Sequence, residues 1–550
     1  MTAPKSLRSI RAFTNIAHKK RGPQVAETNT NAATETAPID WGIFGRPLFD
    51  DERARALSRV GVVDIGSNSV RLVVFDGAAR SPAYFYNEKV LCGLGAGLRE
   101  TGRMNPEGKV RALAAIKRFT KLADGMGISP LTAVATAAMR EAEDGPAFRA
   151  QIEAETGMEI TVIDGEEEAR LSAQGVLLGW PEADGLVCDI GGSSMELAEV
   201  HKGKIGKRVT SPLGALTLQG LSGGRKGVKD HIKPIMAALA EKMGGTDYKR
   251  IYLVGGSWRA IARIDMHRRN YPLHVLHEYR MTTRAVTNTI DFIRENDMNA
   301  VRAQIGTSSA RMALVPHAAE VLRQLTRTFK PKEICVSSYG IREGLLYEQM
   351  PPSIRERDPL IEACRFVERK DARIPGFGKR LHHFIAPVFR ARKYEQMRLV
   401  RAACLLHDVT WRAHPDYRAE VCFDNATRAN LGGLSHTERI FLGLALLHRY
   451  KNSRDGTPFE PLIALLSERE IQNAEVLGKA MRFGAMFALD TPDTMATLDY
   501  RPQKKLLTLT LEAEAEDLFS EVALARFNSL AASLGADPIV CHAADSAAPD

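Results

Sequence analysis

The sequence contains no Cys-x-x-Cys pair. Its seven cysteines, Cys92, Cys188, Cys335, Cys364, Cys404, Cys422 and Cys541, are odd in number and lie far apart. That pattern argues against a disulfide framework and against a thiolate zinc site, and fits reduced thiols. No apolar run reaches the roughly 18 residues that a membrane helix needs. The N-terminus lacks the apolar centre of a secretory signal. The expectation is therefore a cytoplasmic protein without a membrane anchor. Acids are also in deficit: 66 Asp and Glu face 75 Lys and Arg, a formal charge of +9. A basic balance favours polyanionic partners such as nucleic acid, polyphosphate or anionic lipid, without choosing among them. The length of 550 residues exceeds what one core usually serves, so about three folded domains are expected.

Composition divides the chain. Residues 1–57 read as a basic N-terminal arm, with Lys5, Arg8, Arg11, Lys19, Lys20 and Arg21 followed by the low-complexity stretch TNTNAATETAP; an organelle transit peptide is the other reading. Residues 58–350 alternate short apolar runs, glycine turns and amphipathic stretches, the pattern of an α/β fold. VGVVDIG and VRLVVFDG read as two strands joined by GSNS. GLVCDIGGSSMELAEV repeats that layout about 125 residues later, which suggests an internal duplication. TAVATAAM and EITVID are further strand candidates, and EEEARLSAQGVLLGW begins like a helix. RIYLVGGSWRAIARI and EICVSSYGIREGLLYEQM each read as strand, turn and helix. Between 355 and 490 the apolar residues of RLVRAACLLHDV, TERIFLGLALLHRY and EVLGKAMRFGAMFAL recur at helical spacing, so this region reads as all-helical. Residues 491–550 read as a small α/β cap, with LLTLTL as strand, DLFSEVALARFNSLAASL as helix and CHAADSAAPD as a frayed tail.

Three glycine turns carry the chemistry. In Asp64-Ile65-Gly66-Ser67-Asn68-Ser69 the glycine lets the main chain approach a ligand closely, and the neighbouring side chains add hydrogen-bond donors. Successive N–H groups of such a turn form an anion-binding concavity, while a strand-end acid suits a divalent cation or its water. Asp189-Ile190-Gly191-Gly192-Ser193-Ser194 has the same grammar. Gly255-Gly256-Ser257 follows an apolar strand and opens a helix, whose N-terminus also favours anions. One such hairpin alone is usually only a hairpin. Two matched acidic turns followed by a third describe paired lobes facing each other across a phosphate cleft.

These turns resemble the phosphate motifs of the actin, Hsp70 and sugar-kinase superfamily. The segments DIGSNSVRLVVFDG (64–77), ATAAMREA (135–142), DGEEEARLSAQGVLLG (164–179), DIGGSSMELAEV (189–200), SPLGALTL (211–218) and YGIREGLLYE (339–348) resemble, more narrowly, the exopolyphosphatase and guanosine pentaphosphate phosphohydrolase family. The resemblance implies two RNase H-like, actin-like ATPase lobes at 58–180 and 181–350, an all-α HD-like domain at 355–490 and a small α/β cap. It implies release of terminal orthophosphate from inorganic polyphosphate, with guanosine pentaphosphate as the alternative substrate, a Mg²⁺ or Mn²⁺ cofactor and a homodimer. Residue by residue, Glu168 matches the acid that places the attacking water, and Arg140 matches a clamp for the terminal phosphate. Asp64, Asp189 and Glu196 match the metal-holding acids. The amides and side chains of Gly66, Ser67, Asn68, Ser69, Gly191, Gly192, Ser193, Ser194, Gly255, Gly256 and Ser257 match the phosphate-binding donors. The chain departs from the family at Ser193, where a third glycine is usual, and at Ser257-Trp258, where the third motif commonly carries Thr after its glycines.

Plainer readings stand beside these. Three glutamates at 166–168 suit any helix N-terminus through its dipole, Arg140 can pair with Glu141 on the surface, and Glu196 can face outward from its strand. His407-Asp408, with His382, His383 and His436 nearby, resembles a degenerate HD metal site. Arg369, Lys370, Arg373, Lys379, Arg380, Arg390, Arg392 and Lys393 form a basic stretch that suits either a polyanion track or a solvated face. The rival functions are a kinase or ATPase of the same superfold, a non-enzymatic polyphosphate- or nucleic-acid-binding protein, and an HD phosphohydrolase using His407 and Asp408.

Overall fold

A computed structural model describes residues 59–76, 80–128, 131–390 and 394–543. The N-terminal arm, Arg392 and Lys393 lie outside the described residues. So does the stretch after residue 543.

The first strand pair follows directly from composition. β1 (Val60–Ile65) is apolar and almost wholly buried, as a central strand covered on both faces must be. It pairs antiparallel with β2 (Ser69–Asp76), which pairs antiparallel with β3 (Ala83–Leu91). On its other side β1 runs parallel to β4 (Leu131–Ala135), and β4 to β5 (Ile160–Val162). The sheet order is β3-β2-β1-β4-β5.

The second sheet repeats this plan. β6 (Gly185–Ile190) is buried throughout. It pairs antiparallel with β7 (Met195–His201), and β7 with β8 (Lys204–Ser211). It runs parallel to β9 (Arg250–Val254), which runs parallel to β11 (Glu333–Val336). Read outward from β8, the order β8-β7-β6-β9-β11 matches that of the first sheet, with the short β10 (Tyr279–Met281) added antiparallel at the β11 edge. The duplication expected from two similar sequences is thus a duplication of topology. The hairpin registers agree as well: Asp64 faces Arg71 and Ile65 faces Val70, as Asp189 faces Glu196 and Ile190 faces Met195.

Three helices position the site: α1 (Gly165–Gly179) after β5, α2 (Gly256–Arg268) after β9, and α3 (Ile341–Gln349) after β11. Helices α1 and α3 cross at touching distance. A Cβ on Gly175 would come within 2.8 Å of the Gly340 carbonyl carbon, and one on Gly344 within 2.7 Å of that of Leu171. One apolar cluster draws on both sheets, with Val62 and Val73 from the first, Val187 and Tyr252 from the second, and Leu171 and Leu346 from the crossing helices. The lobes therefore share a core.

One strand expectation changes. TAVATAAM is strand only as far as Ala135. The Thr136 N–H closes the ladder on the Ile65 carbonyl, and the Thr136 carbonyl then accepts from Met139 and Arg140 to start the helix Ala137–Glu141.

From Pro359 to Phe487 the regular elements among the described residues are helices, including Tyr394–Leu406, His436–His448 and Glu468–Phe487. A third sheet follows, β12 (Ala496–Arg501), β13 (Leu506–Leu511) and β14 (Asp537–His542), in that order, packed with the helix Glu521–Leu534. Cys541 and His542 therefore belong to a strand and not to a tail: they pair in register with Thr510 and Leu511 of β13. Among the described residues no helix is long and apolar enough to cross a membrane.

Candidate active site

The two acidic glycine turns close identically. Gly66 donates its N–H to the Ser69 carbonyl at 3.0 Å, and Gly191 donates to the Ser194 carbonyl at 2.9 Å. Their tips touch, since the Ser193 hydroxyl donates to the Ser67 hydroxyl at 2.9 Å. At the third turn Gly255 has φ 116°, and a Cβ there would lie 2.7 Å from the Ile190 carbonyl oxygen and 3.1 Å from Asp189 Oδ1. Only glycine permits both that conformation and that approach. All three turns, with Asp64, Glu168 and Asp189, border one cleft between the sheets. The three turns singled out by their glycines thus lie at one cleft.

Glu168 reaches the cleft from the first turn of α1. Asp164 caps that helix by accepting from the Glu167 N–H at 2.7 Å. Of the three consecutive glutamates Glu168 is the buried one, at 6% exposure, while Glu167 is spent on Arg170. Burial, then the nearby charges of Glu196 and Asp189, hold the Glu168 carboxyl well above the usual glutamate range, and Arg140 pulls the other way. Its Oε2 has no hydrogen-bond partner and stands 3.7 Å from Arg140 Nη1.

Arg140 does not line the cleft. Its Nη1 donates to the Ile163 carbonyl at 2.8 Å and its Nη2 to Glu141 at 3.3 Å, which places its guanidinium behind Glu168. The plain reading, a pair with Glu141, holds beside the contact with Glu168.

Asp189 accepts from the Ser172 hydroxyl and Glu196 accepts from Thr210 Oγ1 at 3.0 Å. Burial raises the proton affinity of Asp64 and Asp189. Burial, then Asp189, raises that of Glu196 to about 8. Glu196 sits inside the wall, 1% exposed and with Oε2 unpartnered, so it does not face outward from β7.

The cleft also carries the opposite charge, which no sequence motif announced. Arg71, Lys89, Arg259, Arg311 and Arg342 border the same cleft. Only Arg342 has an acid within ion-pair range, Asp64 at 4.0 Å, among the described residues. Burial, then the surrounding arginines, pushes Lys89 down to about 8, and burial pushes Arg259 to about 10. Cations that depress one another in a cleft make a site for an anion. Arg71, Arg259 and Arg342 lie beside motifs already singled out, in SNSVR, GGSWR and YGIRE. Lys89 and Arg311 carry no sequence signal.

The acids also fit a divalent cation in one mode only. No three His, Cys, Asp or Glu among the described residues converge as a cage. Yet Asp64 and Asp189 face the cleft, and an unpartnered buried carboxylate oxygen lies behind Asp189. That donor set suits a hard cation held by one or two carboxylates, water and substrate phosphates.

The histidines of the helical region do not assemble. Asp408 is gripped by Arg373 at 2.6 and 2.8 Å and accepts from the Tyr450 hydroxyl at 3.2 Å. His407 Nδ1 bonds the Cys404 carbonyl, and burial pushes this imidazole down to about 3. His436 lies elsewhere, between the Tyr271 hydroxyl and the His277 carbonyl. An arginine thus meets Asp408 where an HD site would place a metal. In the basic stretch, Arg373 is committed to Asp408, and Arg380 stands 3.9 Å from Asp493.

Comparison with known proteins agrees with this geometry. Residues 372–537 match the family model described as "Exopolyphosphatase, C-terminal". Exopolyphosphatase 1 of Mycobacterium tuberculosis is 28% identical over 308 residues, covering 53% of this chain and 88% of that protein. Retrograde regulation protein 2 of Saccharomyces cerevisiae is 25% identical over 450 residues, covering 73% and 74%. Among solved structures, an exopolyphosphatase from Cytophaga hutchinsonii aligns at 23% identity and TM-score 0.49, covering 53% of this chain and 97% of that one. The Ppx/GppA phosphatase family model matches residues 73–353, a span that begins just after the first glycine turn and includes the other two, and the chain belongs to that family.

Proposed function

We propose that the chain is an exopolyphosphatase, a phosphoanhydride hydrolase that releases terminal orthophosphate from inorganic polyphosphate. The observation that carries this reading is the convergence of three glycine turns, a buried glutamate and five cations on one cleft. The names of the relatives support the substrate class.

Phosphoryl transfer asks little covalent help of a protein. It needs an in-line water, donors around the equatorial oxygens and neutralised charge. The amides of the glycine turns, with the hydroxyls of Ser67, Ser69, Ser193 and Ser257 and the amide of Asn68, hold the terminal phosphoryl group. Arg71, Lys89, Arg259, Arg311 and Arg342 balance the charge of the phosphates that follow. Glu168 takes the proton of the attacking water at its unpartnered Oε2, and burial raises the affinity of that carboxylate for the proton. Arg140 orients that carboxylate from behind. Asp64, Asp189 and Glu196 would hold Mg²⁺ or Mn²⁺, which when bound supplies charge neutralisation at the phosphoryl oxygens.

The test is orthophosphate release from long-chain polyphosphate with Mg²⁺. Glu168→Ala is expected to bind polyphosphate normally and to turn over at least about 100-fold more slowly, the scale of losing a positioned base. Equal turnover removes Glu168 from the mechanism. Guanosine pentaphosphate, run beside polyphosphate, decides between the two substrates of the family name.

A further inference from the structure

One hydrogen bond joins the helix that carries Glu168 to an acid of the second sheet. Ser172 lies four residues beyond Glu168 on α1, so the two side chains share a helix face. Ser172 is wholly buried, and its hydroxyl donates to Oδ2 of Asp189 near the end of β6. A serine inside a helix usually turns its hydroxyl to solvent or back to its own main chain; here it crosses to another element. The second oxygen of Asp189 is placed by a different contact. Oδ1 lies beside the third glycine turn, where a Cβ on Gly255 would come within 3.1 Å of it. Asp189 and Gly255 border the cleft, and Ser172 is not among the residues that line it. The carboxyl group is thus held at Oδ2 by α1 and leaves Oδ1 on the side of the glycine turn.

We propose that Ser172 is a positioning residue for Asp189: its hydroxyl fixes the rotation of that carboxyl group so that Oδ1 is presented to a divalent cation at the glycine turns. The idea rests on the polyphosphate reading and on Asp189 as a metal-holding acid within it. The last torsion of an aspartate is broad and roughly two-fold, so without a donor on one oxygen the carboxyl group meets the cleft in many orientations. A donor behind a metal-holding carboxylate removes that freedom, and its loss typically costs about 10–100-fold in metal affinity or activity. Ser172 touches neither substrate nor reacting atoms. Its hydrogen bond also ties the helix that presents the proton acceptor to the acid that would hold the cation, so the two are set relative to each other by one contact.

The experiment measures Mg²⁺ binding to the full chain by calorimetry without polyphosphate, and polyphosphate turnover as a function of Mg²⁺, in wild type and Ser172→Ala. The variant is expected to bind Mg²⁺ about tenfold more weakly, and to need about tenfold more Mg²⁺ for half-maximal turnover. At saturating Mg²⁺ its kcat should stay within about threefold of wild type, because the cation then restores what the hydroxyl supplied. A merely structural role gives a different pattern: a loosened α1 displaces Glu168, and kcat falls at every Mg²⁺ concentration. A loss of Mg²⁺ affinity smaller than about threefold, or a kcat at saturating Mg²⁺ reduced by more than about threefold, overturns the proposal. So does wild type that takes up no Mg²⁺. If Ser172→Ala does not fold, Ser172→Cys, of similar size but a weak donor, replaces it and the same outcomes decide. Wild type that binds Mg²⁺ tenfold more tightly than the variant but releases no orthophosphate from polyphosphate would sink the functional reading and leave the positioning inference standing.

Discussion

Consider Gly344→Ala. The added methyl would meet the Leu171 carbonyl carbon at 2.7 Å and its oxygen closer still, whereas ordinary contacts begin near 3.4 Å. Both atoms are backbone of α1, so neither can swing away. The helices must part by more than half an ångström across a shared core. Overpacking of this kind costs about 1–3 kcal/mol, and a clash with rigid main chain belongs at the upper end. The functional effect is separate. Helix α1 carries Glu168 and α3 carries Arg342, so the same displacement misplaces a base and a cation together. The carbonyl oxygen, the nearer atom, sets the separation, so the displacement reaches about 1 Å, and a misplacement of that size can reduce turnover ~100-fold. Thermal unfolding and polyphosphate turnover read the two effects. Gly125→Ala is the control. That residue lies within the helix Pro106–Gly125 with nothing within 4 Å of a new Cβ, and it should be neutral to slightly stabilising, by at most about 1 kcal/mol. A Gly344→Ala protein that melts and turns over like wild type would refute the reasoning.

Three other outcomes follow from the site. Glu196 keeps a proton in the folded state up to about pH 8, whereas an unfolded glutamate loses it near about 4.3. The metal-free protein should therefore lose stability as pH rises from about 5 through 8. Added Mg²⁺ should raise the melting temperature more at pH 8 than at pH 6, and Asp189→Asn should abolish that difference. Asp408→Asn should leave polyphosphate turnover unchanged but cost about 2 kcal/mol of stability through the orphaned Arg373 contact; lost turnover would revive the HD phosphohydrolase. Arg259→Gln should raise KM for polyphosphate several-fold and reduce its salt dependence, because one phosphate contact disappears.

The parts of the fold legible in the sequence were those with a local signature. β1 and β6 are buried on both faces, so they read as unbroken apolar runs, and their glycine turns repeat at fixed spacing. β12 and β14 escaped because ATLDYR and DPIVCH alternate weakly, and only pairing with β13 makes them strands. At the site, Glu168 came only from the resemblance of EEEARL to the family motif, since a helix start by itself favours any of three consecutive glutamates. The cations were not legible. Arg71 and Arg259 project from elements already recognised, but nothing in a linear pattern shows that strands and helices of both lobes bring their cations to one space. Arg311 and Lys89 lie over 200 residues apart and meet only through the folding of the lobes. The HD-like residues show the complementary limit: helical spacing puts them on neighbouring elements but does not show their partners, and Asp408 goes to Arg373 while His436 goes to Tyr271 and His277.

The two hairpins share one register yet differ at one position in it. Where the first copy sets Arg71 opposite its strand-end aspartate, the second sets Glu196. A scaffold made twice is therefore asymmetric: the first hairpin sets a cation opposite its aspartate, the second a protonatable acid. A ligand with identical ends therefore meets different side chains at the two hairpins and cannot sit between them symmetrically.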